Sequence, residues 1–294
     1  MKQFLESEVC SSYQESNVVI LPIPYEATTT YRKGCEHGPL AVLTASDQLE
    51  CYDEELGIET CWQTRIFTHE NIADTRVNNS LTADEMLAET AETVKRLFAD
   101  GKFVIGVGGE HAITTGLVQG YLQSLHEPFT VVQIDAHGDM RYEFEGSIHN
   151  HACVMRRILE LGVPTLGVGI RAICQEEANL IKEKNLPIVW AREIYRNPAW
   201  IEDALGKITT KKVFLTIDLD GIDPSLMPGV GTPEPGGLDW YQTLEFLKEI
   251  CTRFEVIGCD VMELAPTKDS VVSEFTAAKL IYKLIGYWHQ FSQG

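Results

Sequence analysis

The stretch Phe129-Thr130-Val131-Val132-Gln133-Ile134-Asp135-Ala136-His137-Gly138-Asp139 decides the architecture. Its first six residues are a largely apolar, β-branched run of strand length, and acidic and imidazole side chains follow at once. The pattern returns twice. Residues 213–217 run into Asp218-Leu219-Asp220, and residues 103–107 run into Gly108-Gly109-Glu110-His111. Strands that are apolar nearly throughout belong to parallel sheets covered on both faces. In such sheets, polar side chains that follow the strands gather at one edge, where the strands end together.

Between these runs the apolar period changes to that of a helix. Residues 82–98 carry Met86, Leu87, Ala91, Val94 and Leu97 at helical spacing, with Thr82 as the N-cap. The same reading predicts helices from about 112, near 153–161, and at 175–184, 199–205, 240–254 and 272–291. Strands are expected at 18–23, 165–168, 187–190 and 256–261. Strict alternation implies an α/β fold around a parallel sheet. No linker or repeat interrupts residues 1–294, so one domain is expected, with residues 1–16 as a polar, irregular arm exposed and available to an interface. Residues 226–238 (LMPGVGTPEPGGL) are too rich in proline and glycine for helix or central strand, and such stiff loops commonly shape a site.

Composition narrows the functional classes. The net charge of −19 disfavours nucleic acid and anionic membrane surfaces and suits a small cationic substrate. No apolar run approaches the length of a membrane span. Residues 1–8 have no signal-like apolar region, so a cytoplasmic location is expected. The eight cysteines form no Cys-x-x-Cys pair, which points to free thiols rather than a zinc ribbon or a disulfide scaffold.

Asp135, His137 and Asp139 alternate by two, so in extended chain they face one side. Asp218 and Asp220 repeat the arrangement, and His111 adds a third strand end. A single Asp after a strand is usually a cap or turn residue; Asp223, before Pro224, is read that way. The other six together read as a metal site of four carboxylates and two imidazoles. Oxygen-rich, thiolate-free donors favour manganese, and four carboxylates offset two divalent ions able to activate one water. This pattern reads as a two-metal hydrolase.

At these residues the sequence resembles the ureohydrolase family of arginases and agmatinases. The likeness spans nearly the whole chain. It runs through Pro22-Ile23-Pro24-Tyr25-Glu26, Gly34, Gly38-Pro39, Ala45-Ser46, Gly108 to His111 and Asp135 to Asp139. It continues through Thr216 to Pro224, Gly231-Thr232-Pro233-Glu234-Pro235-Gly236-Gly237 and Asp260-Val261-Met262-Glu263. Thr216 stands where the family often has Ser, and the hydroxyl is kept. The resemblance implies a three-layer α/β/α sandwich with two Mn2+ ions. His111, Asp135, Asp139 and Asp218 would hold one ion; Asp135, His137, Asp218 and Asp220 would hold the other, with Asp135 and Asp218 bridging. It further implies that Glu263 orients the guanidinium, that Asp139 relays a proton and that His151, rather than the loop residue His149, is the proton shuttle or substrate contact. Trimers or hexamers are implied as well.

The loop Met140 to Ile148 lacks the arginase pattern and resembles the agmatinase subgroup. Agmatine, cleaved to urea and putrescine in polyamine biosynthesis, is therefore the expected substrate, with Glu143 and Glu145 as partners for its ammonium. The segment after Glu263, Leu264-Ala265-Pro266, departs from the common family pattern and leaves other tails open: N1-aminopropylagmatine, arginine, guanidine or a guanidino acid. A non-catalytic metal-binding protein and a one-zinc amidohydrolase are the readings from other classes.

Overall fold

Alternate side chains of each central strand enter opposite cores, and this builds three layers. In β1 (Val18–Ile23), Val18 and Ile20 join one buried cluster while Val19, Leu21 and Ile23 join the other. The computed structural model describes residues 2–292. After β1 come α1 (Gly38–Ser46), the short antiparallel pair β2 (Tyr52–Asp53) and β3 (Ile58–Glu59), α2 (Thr60–Thr64) and β4 (Ile66–Thr68). Then follow α3 (Ala83–Ala99), β5 (Phe103–Gly108), α4 (Thr114–Ser124), β6 (Phe129–Ile134), α5 (Val154–Glu160), β7 (Thr165–Ile170), α6 (Gln175–Lys184) and β8 (Ile188–Trp190). The chain ends with α7 (Ala191–Arg196), α8 (Trp200–Leu205), β9 (Lys212–Asp218), α9 (Trp240–Arg253), β10 (Glu255–Met262) and α10 (Val272–Phe291).

The main sheet has eight strands in the order β4-β1-β5-β10-β9-β6-β7-β8, every neighbour parallel. Residues of α1, α8, α9 and α10 pack in one core, those of α3, α4, α5 and α6 in the other. The expected three-layer α/β/α architecture is therefore present. No helix among the described residues is long and apolar enough to cross a membrane.

Topology explains where the site lies. The early strands build outward from β5, and β6 to β8 build the opposite flank. The last two strands, β9 and β10, then fill the gap between them. The four central strands are thus β5, β10, β9 and β6, and three of them lead into the acidic and imidazole motifs. Single 3₁₀ turns at His111–Ile113, His151–Cys153 and Leu219–Gly221 follow the buried elements and turn polar side chains back over the strand ends.

Most predicted elements match to within one or two residues, and Thr82 makes a full capping box with Glu85. The differences have local causes. Helix α1 goes unsignalled because its apolar residues are spread around it rather than gathered on one face, although Pro39 in its first turn is a residue that favours a helix start. Strands β2 to β4 are two or three residues long, too short to show a period. The N-terminal arm is irregular as expected but not free: Phe4 and Leu5 are buried, and their amides donate to Thr68 Oγ1 and Ser46 Oγ at 2.8 Å. Its apolar residues thus complete this chain's own core.

Gly109 lies where β5 gives way to His111. A Cβ there would sit 2.0 Å from the Tyr25 carbonyl oxygen, a rigid backbone atom. Gly109→Ala is expected to destabilise the fold by about 2 kcal/mol or more and to lower metal content, read by thermal melting and metal analysis. A variant with full metal content and an unchanged Tm would contradict this account of the strand end.

Candidate metal centre and substrate cavity

His111 projects from the end of β5, Asp135, His137 and Asp139 from the end of β6, Asp218 and Asp220 from the end of β9, and Glu263 from just past β10. His111 Nδ1 lies 3.2 Å from Asp135 Oδ2, 3.2 Å from Asp139 Oδ2 and 3.3 Å from Asp218 Oδ2. His137 Nδ1 lies 2.9 Å from Asp220 Oδ2 and 3.7 Å from Asp135 Oδ1. Asp135 therefore turns one oxygen toward each imidazole. Two donor groups result, His111 with Asp135 and Asp139, and Asp135 with His137 and Asp220, each with its donor atoms within 4.8 Å of one another. Asp218 stands on the His111 side, and its Oδ1 accepts the Asp220 amide at 2.9 Å.

Electrostatics test whether cations suit this pocket. Burial, then the neighbouring Asp135, pushes Asp139 up to about 7. Burial with Asp220 and Asp135 pushes Asp218 far above the carboxylate range, and burial with Asp135 raises Asp220. Burial opposes protonation of His137, yet Asp135 and Asp220 override it and raise the imidazole to about 12. Asp135 alone is lowered: burial would raise it, and His111 and His137 outweigh that. The donor set is thus short of positive charge, which divalent cations supply.

A second layer of buried polar groups fixes the donors. His111 Nε2 lies 2.7 Å from Thr216 Oγ1, whose proton goes to Asp260 Oδ1 at 2.7 Å; Thr114 donates to the other Asp260 oxygen at 2.9 Å. With the threonine protons so used, Thr216 must accept from His111 Nε2–H, which leaves Nδ1 aimed at the carboxylates. Gln133 Nε2 donates to Asp135 Oδ2 at 2.8 Å. Arg171 donates to the carbonyls of Gly169, Asp220, Gly221 and Glu234, binding three loops together.

The centre opens into a cavity of about 300 Å³, at the small end for ligand sites. His137, Asp139, Asp218, Asp220, His151 and Glu263 all line it. Glu263 has a left-handed backbone, φ +66, and its Oε1 accepts the His111 amide at 2.7 Å. Its carboxyl is raised, by burial first. His151 Nδ1 lies 3.7 Å from Glu263 Oε1, while His151 Nε2 is buried with no partner among the described residues. Burial, then His111 and His137, lowers His151 to about 4, so its imidazole is neutral. The His151 amide donates to Thr28 Oγ1 at 3.0 Å, and Thr28 in turn is held by buried Glu110, which accepts from Ala27 N, Thr28 N and Thr28 Oγ1.

Two expected substrate contacts are not brought to this cavity. Glu143 and Glu145 are exposed and do not line it; Phe144 between them does. Glu145 sits in a tight turn, φ +49, closed by the backbone bonds between Phe144 and Ser147. Two other carboxylates, Glu177 and Glu234, line the cavity instead, together with Arg141. His149, read as an exposed loop residue, is only partly exposed and sits 3.5 Å from Asp84. Asp223 holds its turn as expected, accepting from Ser225, Gly236 and Gly237 amides.

Comparison with known proteins agrees with this geometry. Residues 16–286 match the arginase family. An N(1)-aminopropylagmatine ureohydrolase of Synechocystis is 63% identical over 98% of this chain and 94% of its own length. A Thermus thermophilus protein of the same name is 35% identical over 93% of this chain and 91% of its own. The crystal structure of the agmatine ureohydrolase of Thermoplasma volcanium superposes with a TM-score of 0.85 at 28% identity, covering 98% of this chain and 94% of that one. With its buried donor groups at the ends of the central strands and its match over most of the chain, this protein belongs to the arginase family and is a ureohydrolase of the agmatinase type.

Proposed function

We propose that the enzyme hydrolyses N1-aminopropylagmatine, releasing urea and the triamine spermidine. The observation that carries this reading is the 63% identity, along almost the full chain, with a relative of that name. It favours N1-aminopropylagmatine, one of the tails the sequence leaves open, over agmatine, and the chemistry at the guanidino group is the same for both.

His111, Asp135, Asp139 and Asp218 would hold one ion and Asp135, His137, Asp218 and Asp220 the other; the oxygen-rich, thiolate-free donors favour manganese. When bound, the two ions supply a water that is nucleophilic at neutral pH and Lewis-acid stabilisation of the developing charge. Everything else falls to the chain. Glu263 has one oxygen on the His111 amide, and its Oε2 is left to accept guanidinium N–H bonds. Gly231 faces that oxygen without a side chain; even a Cβ there would be 3.9 Å away. A carboxylate so placed orients the planar cation. Water adds its oxygen to the guanidino carbon, the bond from that carbon to the tail nitrogen breaks, and both water protons end on the departing amine. Asp139, whose Oδ1 accepts no hydrogen bond among the described residues, takes one proton. Neutral His151, with unpartnered Nε2, carries protons toward the leaving nitrogen.

One observation favours a second reading. Arg141 lies on the cavity wall, 4.3 Å over the Phe144 ring, and a guanidinium there would suit the carboxylate of a guanidino acid. Urea release by manganese-loaded protein separates the two, with N1-aminopropylagmatine, agmatine, arginine, guanidine and guanidinobutyrate compared side by side. The expected order places N1-aminopropylagmatine first in kcat/KM; a preference for guanidinobutyrate would move the assignment to the acid.

Glu263→Gln is expected to retain both metals and lose about 30- to 1000-fold in kcat/KM, the range for a buried charge-assisted contact strengthened in the transition state. Metal loss in this variant would instead make Glu263 part of the metal-binding framework.

Chelation gives a pH test. In the metal-free fold, Asp139 at about 7 holds a proton that an unfolded chain has already lost above about 4, so stability falls as pH rises through that window. His137, raised to about 12, acts in the same direction above about 6.5. The Tm of chelated protein should therefore drop between pH 5.5 and 8, while that of metal-loaded protein holds. Parallel Tm curves for the two forms would show that the cluster does not need the cations.

A further inference from the structure

Four kinds of negative group line the cavity, namely the aspartates, Glu263, Glu177 and Glu234, and most are already engaged. The aspartates face the two imidazoles. Glu263 Oε1 holds the His111 amide. Glu177 uses both oxygens on backbone, Oε1 accepting from Met140 N at 2.8 Å and Oε2 from Cys174 N at 2.7 Å, so its carboxylate caps α6 and fixes the loop after the metal ligands. Glu143 and Glu145 face solvent. Glu234 differs from all of these. It lines the cavity, is partly buried, and its carboxylate has no hydrogen-bond or ion-pair partner among the described residues.

Its backbone, by contrast, is firmly held. Arg171 donates to the Glu234 carbonyl at 2.8 Å and, from the same nitrogen, to the Asp220 carbonyl at 2.6 Å. Pro233 and Pro235 flank it and restrict the chain on either side. A carboxylate with no hydrogen-bonded or ion-paired partner among the described residues, felt only at longer range by the Arg171 guanidinium, is therefore mounted on a rigid loop tied directly to a metal-ligand turn. That is how a recognition group is held at a fixed distance from a reacting centre.

The geometry points to Glu234 as the specificity-determining residue that accepts the amine tail of the substrate, its carboxylate pairing with an aliphatic ammonium nitrogen distal to the guanidino group. This rests on the reading that the tail is cationic. Arg141, of opposite charge, lines the same cavity, so Glu234 also sets which sign of tail the cavity accepts. The net charge of −19 adds long-range attraction for a polycation but does not discriminate among tails.

The test compares manganese-loaded wild type and Glu234→Gln on three tails: N1-aminopropylagmatine (cationic), butylguanidine (neutral) and guanidinobutyrate (anionic). Glutamine keeps size and loop geometry and removes the charge. The expected result is a fall of about 10- to 100-fold in the kcat/KM ratio of N1-aminopropylagmatine to butylguanidine, the range for one charge-assisted hydrogen bond. Most of it should be in KM, and Glu234→Asp should restore part of it. The ratio of guanidinobutyrate to butylguanidine should rise. Equal losses on all three substrates, or unchanged ratios with both metals bound, would overturn the assignment. Should wild type itself prefer guanidinobutyrate, the proposed substrate fails, yet the charge-dependent change in ratios still decides the role of Glu234.

Discussion

Four carboxylates in one buried pocket repel one another, and the structure around them is organised by that repulsion. Asp139 and Asp218 are pushed well up and His137 is drawn up to about 12 because the fold holds them together regardless. Such strain persists only where the surroundings over-determine the geometry. Here Asp139 sits in a left-handed backbone at φ +52 and Glu263 at φ +66, conformations that side-chain-bearing residues rarely adopt. The carbonyl of Asp139 accepts the Met155 and Arg156 amides, which anchors the strained turn to the start of α5.

The sheet itself supplies much of the over-determination. Asp260 of β10 pairs in register with Thr216 of β9, and Thr216 pairs with Gln133 of β6. These three polar residues form one row across otherwise apolar strands. Gly106 continues the row on one side and Gly167 on the other. Two links rise from the row to the metal donors, Thr216 to His111 Nε2 and Gln133 to Asp135 Oδ2. The orientation of the centre is therefore fixed by strand register, which a side-chain change alone does not shift. Burying Asp260 here is tolerable because two threonine hydroxyls donate to its two oxygens.

Legibility in the sequence followed the same division. The donors could be read because period-two spacing after an apolar strand is a local signal, and the strands could be read because both faces are buried. Glu143 and Glu145 were drawn toward substrate by charge alone, and no local pattern states which way an acidic loop turns. Thr216 stands out in the sequence only as a departure from the family, and nothing local assigns a role to Gln133 or Asp260. A polar residue inside an apolar run was the available signal for both. Glu177, Arg171 and Glu234 carried no such mark, because their roles arise from contacts between α6, the turn after β7 and the stiff 226–238 loop.

The separation between strand ends and loops bears on how one reaction can serve different substrates. The groups proposed to act on the guanidino carbon stand at the ends of four adjacent strands, locked by register, with His151 on the 3₁₀ turn that precedes α5. Groups facing the tail stand on loops, where Arg141, Phe144 and Glu234 can be exchanged without disturbing the sheet. Arg171 is the exception, since its guanidinium joins the Asp220 turn to the backbone of Glu234. That link makes the tail-reading loop rigid with respect to the metal ligands while leaving its side chains free to vary. Selectivity for a tail then depends on charge placed at a fixed distance from the reacting carbon, and the distance is set by backbone rather than by any side chain that touches the substrate.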